Sequence, residues 1–327
     1  MHCLDHLGQA LCDKGDFTNA EQWFGRALDI IEGLWSQLHP DAVEIYKDAA
    51  IYVAGSYDNL AIALDKQGQY DKHVKAKNLF YASLRIRNHF LSEDDLAVIR
   101  SYSNLAACLN NLYETDEAIT LCTKGIELAE QEHGKHHIIV ANLRNNLGLS
   151  LTRKGEYKKA ALQFKLALVV MRRTHGTSHP ETIMACRNLA DVFNTLGKYD
   201  KAERMLVYIT KTEEEVYDEL HYEMGRSYHI LADTYEGQER YEKAESTYRI
   251  AKNIKEKTLG KSHRITANTY NNLSNLLVKI GRSDKVRMTE AKELLQQALS
   301  IYEQSEGMQH PATIKIRKVL NSFPFWS

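Results

Sequence analysis

The sequence predicts an all-α solenoid of antiparallel helix pairs, and two observations lead to that fold class. A motif built around Asn-Leu recurs at a fixed interval: from Leu105 to Leu273, its leucines follow one another every 42 residues. Self-similarity at intervals of about 20–50 residues is typical of stacked repeats, not of one globular core. Within each interval the apolar residues are spaced by three and four, which indicates amphipathic helices.

The interval from 137 to 178 shows how one repeat is built. Its first helix has a single apolar face, formed by Val140, Leu143, Leu147 and Leu151. Gly155 follows, where glycine can take the left-handed conformation that ends a helix. A second helix with its own apolar face then runs from Tyr157 to Met171, and Gly176 ends it. Each repeat is therefore helix, tight turn, helix, loop.

Seven repeats of this kind account for the chain as a single array. We expect them at 1–39, 40–95, 96–137, 138–179, 180–221, 222–263 and 264–310, with a capping helix and tail at 311–327. Extra residues occur near Asp71–Ala76 and near Asp284–Glu290, and we expect them in the turns between helices, where insertions are tolerated. The apolar tail Phe323–Trp326 either seals the last repeat or docks elsewhere.

The composition and the motifs that are missing argue against several classes of function. A net charge of −1 gives no electrostatic case for nucleic acid, and no segment has the length of apolar sequence that a membrane helix needs. The five cysteines have no metal-type spacing, and the first residues lack a signal-peptide pattern. We therefore expect a cytoplasmic protein. With no phosphate loop, nucleophile elbow or metalloprotease motif, we expect no enzyme activity and no catalytic residues.

Histidines recur near the repeat boundaries, and two readings of them are open. His133, His136 and His137, or His175 and His179, could be metal ligands. Because histidine recurs with the repeat period, we instead expect a role in the loop and at the helix start, with no metal and no cofactor. Cys108 and Cys122 fall on core-facing positions, so we expect buried thiols.

Several motifs carry a family resemblance. They are His39-Pro40, His179-Pro180 and His310-Pro311 before first helices, Asn-Asn-Leu at 145–147 and 271–273, and Gly-Lys-Tyr-Asp-Lys-Ala-Glu at 197–203. The order of leucine, small residue, tyrosine and alanine resembles the tetratricopeptide repeat. The 42-residue period with its histidine–proline loop is similar to the repeats of kinesin-light-chain-like proteins. The heptad-rich coiled coil of a kinesin light chain is absent from this sequence.

The resemblance implies a right-handed superhelix whose first helices line a concave peptide groove. In kinesin light chains that groove takes extended cargo peptides, often with a tryptophan flanked by acidic residues, and a kinesin-type motor complex is the partner assembly. Asparagines of the Asn-Leu motif clamp the peptide backbone there. The matching positions here are Asn59, Asn104, Asn146, Asn188 and Asn272, whereas repeat six has Ile230 in that slot.

The residues themselves support such a groove. Asparagine is a mediocre helix former, yet it is frequent on the first-helix face that the core leucines leave free. Its amide both donates and accepts, which suits an extended peptide, and interleaved arginines favour acidic side chains. The candidate peptide-binding residues are Asn59, Arg100, Asn104, Asn111, Asn142, Asn145, Asn146, Arg153, Arg187, Asn188, Asn194, Arg226, Asn268 and Asn272.

Two functions remain open. The first is a non-catalytic adaptor or scaffold that binds short, acidic linear peptides of partner or cargo proteins in its groove. The alternative is a sensor or assembly module of a larger signalling or immune-receptor protein, which docks a folded partner. A peptide groove predicts hydrogen-bonding residues on the inner face, and these are present. A docking module predicts exposed aromatics on the outer face, and the sequence shows none clearly.

Overall fold

A computed structural model describes residues 7–8, 10–12, 14, 16–35, 47–67, 69–217, 221–281, 284–305 and 307–323, with backbone only for 27–35. All regular structure in these ranges is helical, so the predicted all-α solenoid fold is confirmed. The contacts divide the chain into two units, Met1–Thr174 and His175–Ser327. The single array of seven repeats stays a prediction, and the first histidine–proline pair, at 39–40, lies outside the described residues.

The first unit holds four helix pairs. Its helices are α1 (7–8 and 10–12), α2 (Phe17–Trp35), α3 (Lys47–Lys66), α4 (Tyr70–Phe90), α5 (Leu96–Asn111), α6 (Thr115–His133), α7 (Ile138–Arg153) and α8 (Tyr157–His175, whose last residue belongs to the second unit). Consecutive helices from α2 to α7 pack against each other, and the first helices α5 and α7 of neighbouring repeats are also in contact. First helices therefore lie side by side in this unit.

The second unit repeats the pattern with three pairs and one further helix. Its helices are α9 (Pro180–Thr195), α10 (Tyr199–Val216), α11 (Tyr222–Gly237), α12 (Tyr241–Leu259), α13 (Arg264–Ile280), α14 (Lys285–Ser305) and α15 (Pro311–Asn321). The helix α15 packs on α14. Phe323 belongs to the same apolar cluster as Ile301 and Ile316, so the start of the tail covers the last repeat. The rest of the tail, 324–327, lies outside the described residues.

The core follows the period of the sequence. The motif leucines Leu105, Leu147, Leu189, Leu231 and Leu273 are all buried. Close approach of paired helices requires a small residue beside each leucine, and at Gly148 an added Cβ would lie 2.7 Å from the ring of Phe164. Gly155 has φ +80°, in the left-handed region expected at the end of α7.

Histidines begin five of the described helices. The Nδ1 atoms of His137, His179, His221, His263 and His310 accept a hydrogen bond from the backbone N–H two residues later, at 3.1–3.3 Å. An N-terminal helix turn has unsatisfied N–H groups, and an acceptor at this position satisfies one of them. The recurring histidine is thus a helix cap, and Asp95 takes the same role for α5.

The extra residues of repeats two and seven differ from the expectation. Ala76 is the seventh residue of α4, and Ala291 is the seventh residue of α14, whereas the equivalent Ala118 is the fourth residue of α6. Three extra residues therefore lengthen the second helix at its start in both repeats. Adding most of a helical turn keeps every backbone group hydrogen-bonded, which a longer loop would not do.

Candidate functional site

The first helices of unit 1 carry the clearest candidate surface. On α5, Arg100 is exposed and Asn104, one turn later, is partly buried. On the neighbouring α7, Asn142 occupies the slot equivalent to Arg100 and is also partly buried. Asn59 on α3 is partly buried as well. These side chains leave polar groups within reach of solvent on adjacent helices, which an extended peptide could use.

The motif asparagine Asn146 has a different environment. It is nearly buried, and its Nδ2 donates to the backbone oxygen of Ser103 at 2.9 Å and to the Ser103 hydroxyl at 3.2 Å. Asn110 in turn donates to the backbone oxygen of Asn146 at 3.1 Å. The amide donors of Asn146 therefore join one repeat to the preceding one. Asn145 is buried too.

The equivalent asparagine of unit 2 is used in the same way. The Nδ2 of Asn272 lies 3.2 Å from His229 Nε2 and 3.3 Å from Asp233 Oδ1. Asn194 donates to the backbone oxygen of Ile230 at 3.2 Å, as Asn110 does in unit 1. Part of the asparagine periodicity therefore comes from hydrogen bonds between repeats.

Other candidates lie at the ends of first helices or at the surface. Asn111 is exposed and donates to the carboxylate of Asp65 at 3.0 and 3.2 Å. Arg153 is exposed, with its guanidinium 4.4 Å from the centre of the Tyr113 ring. Asn268 in unit 2 is exposed and accepts from the Tyr302 hydroxyl at 2.9 Å.

Arg187 differs most from the expectation that it would receive acidic side chains of a partner. It is 2% exposed, and its Nη1 lies 2.6 Å from Glu223 Oε2 and 3.6 Å from Glu213 Oε1. A buried guanidinium needs such partners, because an isolated buried charge is costly. Arg187 is therefore an internal residue and not part of a peptide-facing surface. Asn188, next to it, is partly buried.

Arg226 lies close to the same acidic residue but nearer the surface. Its guanidinium is 3.2 Å from Glu223 Oε1, and its side chain is 40% exposed. It occupies the slot equivalent to Arg100, so both units have an arginine at this position of the repeat, exposed at Arg100 and partly exposed at Arg226.

The sequence reasoning missed three buried polar triads, each of which joins a repeat to the next. In the first two, a charged residue of a second helix lies between a polar residue of its own first helix and a hydroxyl of the following first helix. In the third, the first-helix histidine and the second-helix lysine both contact the hydroxyl of the following first helix. The triads are Asp58–Arg87–Ser101, Arg187–Glu213–Ser227 and His229–Lys255–Thr269. Arg87, Glu213 and Lys255 are separated by multiples of the 42-residue period, whereas Ala129 and Met171 fill the same slot in repeats three and four. The sequence feature that could have revealed these triads is a charged residue at a helix position that is apolar in other repeats.

The triads differ in charge. In the first triad the second helix supplies the cation, and Arg87 Nη1 lies 2.5 Å from Asp58 Oδ2 of the first helix. In the second triad the first helix supplies the cation, Arg187, and the second helix supplies the anion, Glu213. Desolvation raises the pKa of Glu213 to about 7. In the third triad, Lys255 donates to Thr269 at 2.8 Å, and desolvation lowers the pKa of Lys255 to about 7. Desolvation also lowers the pKa of His229 well below its usual value.

The one histidine and carboxylate cluster with metal-type spacing among the described residues is His175, His179 and Glu181. The Nδ1 of His179 accepts the backbone N–H of Glu181 at 3.3 Å. A neutral imidazole in this tautomer carries its proton on Nε2 and offers no second lone pair. The helix cap thus competes with metal binding. Cys108 and Cys122 are buried, as expected, and desolvation raises the pKa of Cys122 to about 12.

No helix among the described residues is both long and apolar enough to cross a membrane. Comparison with curated proteins finds no significant match. Solved structures with the same fold include BtubC (BKLC) from P. vanneervenii, at 16% identity and a TM-score of 0.57, covering 73% of this chain and 91% of that one. A putative kinesin light chain repeat protein of Podosopora anserina is 17% identical with a TM-score of 0.50, covering 62% and 94%.

A third solved structure is a Rap protein complexed with competence and sporulation factor, at 17% identity and a TM-score of 0.55, covering 98% of this chain and 75% of that one. At these identities the likeness concerns the fold, and it confirms the predicted kinesin-light-chain-like type of array at that level. Two tetratricopeptide-repeat family profiles match residues 98–168 and 223–289, and residues 1–34, which is just over half of the chain. The chain therefore belongs to the tetratricopeptide-repeat family.

Proposed function

We propose that this protein is a non-catalytic, cytoplasmic adaptor whose first helices in unit 1 bind short acidic linear peptides of partner or cargo proteins. The carrying observation is the pair Arg100 and Asn104, one turn apart on α5, with Asn142 beside them on α7. An exposed guanidinium forms strong bidentate hydrogen bonds with carboxylates. Partly buried amides can hold the peptide backbone through both their donor and acceptor groups.

The fold is consistent with this role. Tetratricopeptide arrays form adaptor and scaffold folds, and the Rap structure with the same fold was solved with a bound factor. By the kinesin-light-chain resemblance, we extend the proposal to acidic tryptophan-containing motifs and to a kinesin-type motor complex as the partner assembly.

The test is a fluorescence-polarisation titration of a labelled acidic tryptophan peptide. Asn104→Ala should weaken binding about two- to tenfold, since a neutral hydrogen bond contributes about 0.5–1.5 kcal/mol net. Arg100→Gln should weaken it as well, with a difference from wild type that shrinks at high salt because exposed charges are screened. Arg173→Gln is the matched control, because Arg173 is an exposed arginine on a second helix. Equal effects of Arg100→Gln and Arg173→Gln, or no binding at all, would contradict the proposal.

A specific observation also favours the docking-module alternative. On α8, Leu162 and Val169 are 54% and 63% exposed, and Leu166 between them is 40% exposed. These positions are four and three residues apart, so they form one apolar stripe on the outer helix. If Leu162→Asn with Val169→Asn abolishes binding of the partner while Asn104→Ala does not, the partner docks on α8 and the alternative replaces the groove.

A further inference from the structure

Unit 2 contains an open cavity of about 420 Å³ whose lining is chemically unlike the unit 1 surface. Its volume lies within the usual range of ligand pockets, about 300–1,000 Å³. First helices supply most of its polar groups, so the cavity occupies the same side of the repeats as the candidate asparagines. Asn194 and Asn272, both candidate peptide-binding residues, line it.

Two carboxylates dominate the electrostatics of the cavity. Asp233 and Glu236 are three residues apart on α11, which places them on the same helix face. Asp233 accepts from the hydroxyl of Tyr248, which is itself buried, and from Asn272 at 3.3 Å, and Glu236 Oε2 lies 3.4 Å from the same hydroxyl. Lys279 is the one cationic residue in the lining. Burial raises the pKa of Asp233 to about 7. Glu236 is therefore the carboxylate of the lining that stays fully ionised at neutral pH.

The ammonium of Lys279 lies close to one of the two carboxylates of the cavity. Its Nζ lies 3.5 Å from Glu236 Oε1 and 4.8 Å from the centre of the Tyr241 ring, with the side chain 49% exposed. A carboxylate and an aromatic face together form a favourable site for a cation. Because Lys279 is half exposed and approaches only one carboxylate closely, a second cation can compete with it.

One buried acceptor beside the cavity is not used by the protein. The Nδ2 of Asn194 donates to Ile230, but its Oδ1 is buried with no hydrogen-bond partner among the described residues. Because this oxygen is closed off from solvent, a ligand in the open cavity does not contact it. The acceptors that the cavity offers to a ligand are therefore the carboxylates of Asp233 and Glu236.

We propose that this cavity binds the guanidinium of an arginine side chain in a peptide partner. A guanidinium has five N–H donors in a fixed plane, so it can serve several acceptors at once and stack against tyrosine rings, which an ammonium does less well. That the arginine belongs to a peptide rests on the proposed peptide-binding function. That the cavity binds a guanidinium is independent of that function, because it can be tested without a peptide.

The experiment is a saturation-transfer NMR titration of the full chain with N-acetyl-arginine N-methylamide. The citrulline analogue is the matched ligand control, since it keeps the shape of arginine and lacks its charge. We expect a signal from the arginine compound, at least about tenfold weaker binding of the citrulline compound, and a similar loss in Glu236→Gln, because hydrogen bonds to charged groups are the strong ones. Glu242→Gln, an exposed carboxylate on α12, should leave binding unchanged.

A second variant should bind the arginine compound more tightly, which loss of folding could not produce. Lys279→Gln removes the internal competitor and should tighten binding of the arginine compound by about two- to tenfold. Equal binding of the arginine and citrulline compounds, or no change in both Glu236→Gln and Lys279→Gln, would overturn the proposal. Failure of the acidic peptide to bind in the unit 1 titration would count against the proposed function and leave this result intact.

Discussion

The asparagines of the Asn-Leu motif have different environments in successive repeats. Asn104 and Asn146 occupy the same slot of consecutive repeats, but Asn146 donates to Ser103, the residue 43 positions earlier. In unit 2, Asn272 likewise approaches His229, again 43 positions earlier. The sequence period identified the slot correctly, whereas the partner of each amide depends on packing. Asp58 is the residue equivalent to Ser103 in the preceding repeat, and it pairs with Arg87. Asn104 is therefore a sharper probe of binding than Asn146.

A buried lysine gives the residue-scale prediction. Lys255 is 2% exposed, and its pKa is lowered to about 7 chiefly by desolvation and then by the positive charge of Arg226. The unfolded chain has the ordinary lysine pKa, about 10.4, so between about pH 7 and 10 the unfolded state binds more protons than the folded state. The destabilisation from Lys255 is complete below about pH 7 and decreases as the pH rises above it.

We therefore expect Lys255→Met to change the pH dependence of unfolding. The free energy of unfolding of the wild type should rise relative to that of the variant between about pH 7 and 10, and the difference should be constant below about pH 7. Urea denaturation of both proteins across this range measures it. Lys257→Met, at an exposed position on the same helix, serves as the control. Parallel curves for wild type and Lys255→Met would show that Lys255 keeps an ordinary pKa.

At the scale of elements, the joints between repeats are of two chemical kinds. Repeat two is joined to repeat three by Asp58, Arg87 and Ser101. The equivalent slots one repeat later hold Ser103, Ala129 and Leu143, all buried. Apolar and ionic joints thus occur in the same architecture. A buried ion pair is costly to break by removing one partner, yet replacing the whole group with well-packed apolar residues is often neutral.

Two variants separate these cases. Arg87→Ala alone should lower the free energy of unfolding by about 3–5 kcal/mol, because it leaves Asp58 buried without its partner. The triple variant Asp58→Ser, Arg87→Ala, Ser101→Leu copies the joint of repeat three and should cost much less than the single change. Chemical denaturation followed by circular dichroism measures both. A triple variant as unstable as Arg87→Ala would mean that the joints are not interchangeable.

At the scale of the whole molecule, the 42-residue period predicted the positions of the helices better than residue type predicted the roles of individual side chains. The helix starts at 96, 138, 180, 222 and 264 follow from a 42-residue phase that each repeat must keep to stack on its neighbour. Arg187 shows the limit of this reasoning. The period placed it on the face of the groove, but Glu213 and Glu223, from two other helices, enclose it. Such partners are set by packing between distant segments, which a single sequence does not display.

The net charge of −1 is compatible with charged side chains of opposite sign at the two candidate sites. In unit 1, Arg100 and Arg153 are exposed on first helices, whereas in unit 2 Asp233 and Glu236 line a cavity. Because surface potentials act over roughly a Debye length, about 8–10 Å at physiological salt, each unit should select its own ligand charge. Selection of random peptides by the wild type should therefore enrich both acidic residues and arginine.

Variants of each unit should remove one preference and leave the other. Arg100→Gln with Arg153→Gln should abolish the enrichment of acidic residues, and Asp233→Asn with Glu236→Gln should abolish that of arginine. Deep sequencing of the selected pools gives the enrichment at each peptide position for the three proteins. Since each pair of substitutions changes the net charge by two units in opposite directions, a response to overall charge would shift both preferences together. Only local recognition would change them one at a time, and pools that shift together would contradict separate sites.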